Sequence, residues 1–249
     1  MGPASLGAAS VLAQRGYQVT VYEQWKRLGS MMRLIPNDRL DPQVANRDIE
    51  FIKALGAVDF RPGQGITDPA ALLKDYKAVI VSAGLEEPMR LGIPGEEYAL
   101  SWQEYLERQK QIAVAGRKVA VLGGGAVAVD CAMTARKHGA LSVELVYRRR
   151  QQDMPLTAYE REILLEQGIE ITSCCKPLEI LHRGQKATGL RLARMMLPQG
   201  KAPRPQNFVV NRRESPIFRE FDVVIIATRS RSSLPIRKVR GAFTPAKWF

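Results

Sequence analysis

Gly123, Gly125 and Ala128 spell G-x-G-x-x-A, with Gly124 filling the gap between the first two. In such a motif the first glycine allows a tight turn, and the second lets the backbone approach a pyrophosphate. The small third residue lets a helix pack on a strand. The apolar run at 119–122 just before it reads as a buried parallel strand. From Ala126 to His138 the chain is helix-compatible, with Gly139 as a natural stop, and 143–147 reads as a second strand. A helix starting there points unpaired N–H groups and a partial positive charge at whatever the glycines admit. By itself the motif is weak, because an ordinary α/β domain can hold a bare glycine turn. The strand–turn–helix–strand order is the context that favours dinucleotide binding.

The end of the second strand bears on which dinucleotide. An NAD site places Asp or Glu there to bond the ribose 2′-OH. This chain has Tyr147, 22 residues after Gly125 (147 − 125), and then Arg148, Arg149 and Arg150. Arginine forks match a phosphate, and no carboxylate stands there to repel one. A run of charge is often only a solvated face, yet its position favours the 2′-phosphate of NADP.

The elements around this motif suggest an α/β chain of two dinucleotide units. Residues 4–15 read as a helix stopped by Gly16, and 19–22 as a strand ending at Glu23. Glu23 lies 21 residues after Gly2 (23 − 2), the spacing of a ribose-binding acid. The unit repeats the second one in fold rather than in sequence. Its own first strand and first glycine are expected before Met1. That strand is normally central, and without it several apolar neighbours lose burial worth about 1.5–3 kcal/mol each.

Further along, 43–55 reads as a helix and Asp68-Pro69 opens a short one with Leu72 and Leu73 inward. The run AVIVS at 78–82 reads as a buried strand, and 101–109 as a helix. A further helix is expected at 157–167, with Tyr159, Ile163 and Leu164 at helical spacing. Strands are expected at 169–173, 178–181, 188–197 and 221–227. The domain limits drawn from this pattern are 1–103, 104–230 and a basic tail at 231–249, where Trp248 and Phe249 either dock or fray.

Composition bounds the function. The chain has 249 residues, 45% of them hydrophobic and 25% charged, which suits a globular protein. No apolar run is long enough to span a bilayer, and no secretory signal opens the chain. Cys131, Cys174 and Cys175 form no C-x-x-C pair and cannot supply four cluster ligands, so no metal site is expected. The cytoplasm is the expected compartment. A net charge of +12 raises nucleic acid as a partner, but neither a basic recognition helix nor an aromatic platform accompanies it. Nucleotide phosphates or an acidic protein partner account for the charge as well.

With these pieces in hand, the chain resembles the FAD/NAD(P)-dependent pyridine nucleotide oxidoreductases, and is most similar to the small subunit of NADPH-dependent glutamate synthase. The matching pieces include GPASL, VTVYE, IPNDRLDP at 35–42, LGIPGE at 91–96, VLGGGAVAVDCA and VYRRRQQDMP at 146–155. The resemblance implies two Rossmann-like domains with parallel sheets, the first without its first strand and its C-terminal return. It implies FAD at Gly2, Pro3, Ala4 and Glu23, and NADP at Gly123, Gly124, Gly125, Ala126, Val127, Arg148 and Arg149. Hydride would pass from NADPH to FAD, and electrons on to an iron–sulfur protein or larger catalytic subunit. Departures include Gly29-Ser30 for a Gly-Gly pair, Ala126 for an asparagine and Ala227-Thr228-Arg229 for a glycine turn.

No protein acid, base or nucleophile is required by such chemistry, because the cofactors carry it. The absence of C-x-x-C argues against a disulfide reductase, which needs a redox dithiol. The competing reading is a truncated, non-catalytic NADP-binding or interaction subunit. Cys131 reads as helix packing, Cys174-Cys175 as a buried strand end, and His138 as a favourable charge at a helix C-terminus. Trp25 and Trp102 read as core or boundary packing.

Overall fold

A computed structural model of the chain describes residues 1–232, and these fall into two compact units. The first comprises 1–32, 43–87 and, of the described residues, 230–232; the second comprises 33–42 and 88–229. The division near the middle lies between Glu87 and Pro88, earlier than the 103/104 limit drawn from sequence. The stretch 33–42 goes with the second unit through ion pairs that no local pattern reveals. Residues 233–249, including Trp248 and Phe249, lie outside the described residues.

In the first unit, helix α1 (Pro3–Gln14) leads to strand β1 (Val19–Glu23), and helix α2 (Pro42–Ala54) to strand β2 (Val58–Pro62). Pro3 suits the start of α1, where an N–H is unbonded anyway. Gly16, at φ +82°, supplies the left-handed turn that ends it. β1 and β2 pair in parallel, from Val19 opposite Val58 to Glu23 opposite Pro62. Leu6 and Ala9 of α1, Val21 of β1, and Ile49 and Ile52 of α2 form the core.

Three expectations fail in this unit. Residues 78–82 form no strand, and Ile80 is 59% exposed. Apolar composition alone does not make a strand when no neighbour pairs with its backbone. Leu73 and Trp25 are exposed too, although Asp68 caps the short 3₁₀ turn Pro69–Lys74 as its position suggests.

The chain leaves this unit through β3 (Glu87–Pro88), a two-residue strand. In the second unit β4 (Leu100–Ser101) runs into α3 (Trp102–Glu107), with the Ser101 hydroxyl capping the helix. There follow β5 (Lys118–Leu122), α4 (Ala126–Lys137), β6 (Ser142–Val146), α5 (Ala158–Glu166) and β7 (Glu170–Thr172). Next come β8 (Cys175–Arg183), β9 (Lys186–Met196), β10 (Val209–Val210), β11 (Ile217–Glu220) and β12 (Val223–Ile226). Last, β13 (Ser230–Arg231) returns to the first unit, where Arg231 forks Glu87 at 2.8 and 2.9 Å.

A five-stranded parallel sheet carries the second unit, in the order β4-β12-β5-β6-β7. β5 is central, with Val119 opposite both Val223 and Val143. Strands β8 to β11 form a separate antiparallel sheet. Its Ile180, Leu190 and Leu192 share one core with Ala120, Leu122, Val224 and Ile226. Thr157 and Glu160 close a capping box on α5, while Tyr159 points out, 67% exposed.

Candidate functional site

The second unit builds its candidate site at the turn from β5 into α4. A β-carbon added to Gly123 would sit 2.3 Å from the Ala227 carbonyl oxygen. One on Gly124 would sit 2.4 Å from the Tyr147 ring. These two glycines are dictated by close packing. Gly125 differs: an added β-carbon would meet only Pro155 Cγ, at 3.9 Å. Gly125 is the N-cap of α4 and offers no side chain to the first-turn N–H groups. Those of Ala126 and Val127 have no acceptor within the helix by its geometry, which leaves them for an anion. A cradle that is tight behind Gly123 and Gly124 and open over Gly125 fits a dinucleotide pyrophosphate.

Tyr147 follows β6 and is buried under this turn. Its hydroxyl donates to the Asp153 carbonyl at 3.0 Å, and burial pushes its pKa up. The three arginines after it have separate fates. Arg150 forks the Asp153 carboxylate at 2.8 and 2.9 Å, holding that carboxyl below the usual range. Arg149 lies over the Tyr147 ring, 5.3 Å from its centroid. Arg148 is exposed and makes no ion pair among the described residues. So Arg148 and Arg149 remain without a carboxylate, beside a ring that packs on the glycine turn.

Two residues outside the sequence-derived set complete the setting. Arg161 of α5 donates to the carbonyls of Gln151 and Met154 at 3.1 and 2.9 Å, which pins the loop carrying Pro155. Arg39 donates to Asp130 on α4 and Glu160 on α5. Burial raises the Asp130 carboxyl, and Arg39 pulls it back down. Only the IPNDRLDP resemblance drew attention to this stretch; periodicity carries no signal there. Cys131 is buried in α4 and its thiol is raised by burial, while Cys174 takes a left-handed φ of +53° just before β8. His138 is the C-cap of α4.

The first unit brings Gly2, Pro3 and Ala4 together at the start of α1, with Glu23 at the end of β1. Gly2 is an N-cap without a side-chain bond, as Gly125 is. Here the likeness stops. Glu23 is buried, accepts from the Trp25 N–H at 2.9 Å and pairs with the α-ammonium of Met1. Ser5 bonds Ser82 at 2.6 Å. Among the described residues the sheet of this half holds β1 and β2.

The pattern of the pyridine nucleotide-disulphide oxidoreductases matches residues 1–228. The chain belongs to that family. The NADP(+)-dependent formate dehydrogenase subunit beta of Moorella thermoacetica is 35% identical over 207 residues, covering 79% of this chain and 29% of that protein. The glutamate synthase [NADPH] small chain of Escherichia coli K12 is 29% identical over 231 residues, covering 84% of this chain and 48% of that one. The chain therefore spans less than half the length of either relative. Thioredoxin reductase of T. acidophilum has the same fold, with a TM-score of 0.64 at 16% identity, over 90% of this chain and 73% of that one. This member of the oxidoreductase family has free thiols at all three cysteines. No helix among the described residues is long and apolar enough to cross a membrane.

Proposed function

We propose that the second unit binds NADPH and that the chain is the nucleotide-binding part of a flavoprotein oxidoreductase of the glutamate synthase small-chain type. The observation that carries this reading is the pairing of an open Gly125 with two arginines that lack a carboxylate partner. Gly123, Gly124, Gly125, Ala126 and Val127 hold the pyrophosphate, and Arg148 and Arg149 hold the 2′-phosphate. Bound nicotinamide supplies hydride chemistry; the protein positions it and needs no acid, base or nucleophile of its own. FAD is assigned to Gly2, Pro3, Ala4 and Glu23 only once the first unit is completed. The chain then acts as a subunit in the cytoplasm, beside an iron–sulfur protein or larger catalytic subunit. A second reading is a non-catalytic NADP-binding or interaction subunit, for which the turn from β5 into α4 would serve equally.

Calorimetric titration of the chain with NADPH and NADH tests the assignment. Each charge-assisted bond to the 2′-phosphate adds about 1.5–3 kcal/mol, so NADPH should bind at least about tenfold more tightly. The double variant Arg148→Ala/Arg149→Ala should bind the two alike. Equal affinities in the unaltered chain would remove the NADP assignment. Incubation with FAD followed by desalting separates the two functional readings: retained flavin supports the oxidoreductase, and none supports the binding subunit.

A further inference from the structure

The antiparallel sheet of the second unit carries most of the chain's surplus positive charge. From Ile180 to Arg213 the sequence holds eight Lys or Arg and no Asp or Glu, against a net charge of +12 for the whole chain. At one end of this sheet the charge meets exposed apolar side chains. Met196, the last residue of β9, pairs with Val209, the first of β10. They are 43% and 44% exposed, and Val210 is 37% exposed. The loop joining them is folded on itself: the Lys201 N–H donates to the Pro198 carbonyl at 3.1 Å, and the Asn207 amide to the Ala202 carbonyl at 2.9 Å. Lys201 and Arg204 stand exposed on this loop, and Arg212 and Arg213 on the turn after β10. None of the four forms an ion pair among the described residues. The next acid along the chain, Glu214, accepts from the Asn211 amide at 2.6 Å and lies 3.9 Å from Arg194.

We propose that the β9–β10 tip is a docking surface for an acidic protein partner. Met196, Val209 and Val210 supply its aliphatic centre, and the four cations of the adjoining loop and turn supply its rim. The partner that fits presents a small apolar centre bordered by Asp and Glu. Like charges gathered without acids repel one another in the free chain, and carboxylates of a partner relieve that repulsion. An apolar centre within a charged rim is the arrangement of a specific protein interface, where apolar contact holds the complex and the rim governs approach and partner choice. Strand pairing already fixes the backbone of Met196 and Val209, so covering them costs less ordering. Nucleic acid and membrane fit less well. Both favour exposed aromatic rings, for base stacking or for the headgroup layer. The only aromatic residue from 195 to 213 is Phe208, and it is 6% exposed. The inference uses no residue assigned to NADP and holds whether or not that assignment does.

Fluorescence anisotropy on the whole chain tests it, with the labelled peptide Glu-Asp-Glu-Val-Leu-Val-Glu-Asp-Glu as probe. The control peptide carries three serines in place of the apolar centre and should bind at least about threefold more weakly. The variant Lys201→Gln/Arg204→Gln/Arg212→Gln/Arg213→Gln should lose at least about tenfold in affinity for the probe, the sum of four small exposed contributions. Its NADPH affinity should stay within about threefold of the unaltered chain. If NADPH binds to neither protein, the peptide result still decides. No binding at about 1 mM probe would overturn the proposal, as would an affinity that survives the four substitutions. Equal binding of the two peptides would leave charge attraction alone and also overturn it. Oligouridine RNA and phosphatidylserine vesicles complete the test: either one held more tightly than the peptide, through the same four cations, would reassign the surface to that class and overturn the protein partner.

Discussion

Arg39 reaches Asp130 at 2.6 Å and Glu160 at 3.1 Å, joining α4 to the first turn of α5 through one guanidinium. Both carboxylates are buried, and Arg39 keeps 36% of its side chain exposed. Arg39→Ala leaves two acids buried near each other without their cation. Breaking a fully buried pair costs about 3–5 kcal/mol; the exposure of Arg39 brings this nearer to about 1–3. Arg39→Lys should recover part of the loss, since an ammonium lacks the fork that spans two carboxylates. Thermal unfolding of the three proteins checks the order, and equal Tm values would deny the clamp.

Gly124 and Gly125 adjoin but should respond differently to a methyl group. Gly124→Ala forces a β-carbon into the Tyr147 ring and should destabilise the second unit by about 1–3 kcal/mol. Gly125→Ala meets only Pro155 and should leave unfolding nearly unchanged while weakening NADPH binding at least about tenfold. Denaturant melts paired with NADPH titrations separate the two. Unchanged affinity in Gly125→Ala would place the pyrophosphate elsewhere.

Asp153 links stability to pH. Its carboxyl is held low by Arg150, so the pair stabilises the fold above the ordinary carboxylate pKa. The contribution fades as pH falls through the lower, folded value. Asp153→Asn should therefore lower Tm at about pH 6, with the gap closing below about pH 4. A gap that widens on acidification would reverse the assigned sign.

Tyr147 both backs the glycine turn and carries Arg149. Tyr147→Phe keeps the ring and loses the bond to the Asp153 carbonyl, which should cost about 1 kcal/mol. Tyr147→Ala also removes the surface under Arg149 and should lower the NADPH-over-NADH preference. Titrations with both nucleotides measure this; an unchanged preference in Tyr147→Ala would free Arg149 of that dependence.

The glycine turn between β5 and α4 was legible because its signals are local. A buried strand, three glycines and a helix stopped by Gly139 lie in sequence order, and their packing partners are nearby. Strand β2 shows a local signal that the sequence reading passes over: Val58 and Phe60 alternate with Asp59 and Arg61. Arg39 gave no comparable sign, since an arginine in a loop has the same local pattern whether it is solvated or clamped between acids.

By itself the sequence determined the α/β class, the position of the glycine turn and the absence of an acid at the end of β6. Each follows from residue types within a few turns of one another, where sterics and backbone bonding act directly. The tertiary structure decided which of the three arginines keep their charge unpaired, because Asp153 takes Arg150 by a fold of the loop. It also decided that Val224 is buried while Val81 is exposed. Burial belongs to a strand's neighbours, and β5 stands beside one of these segments and not the other.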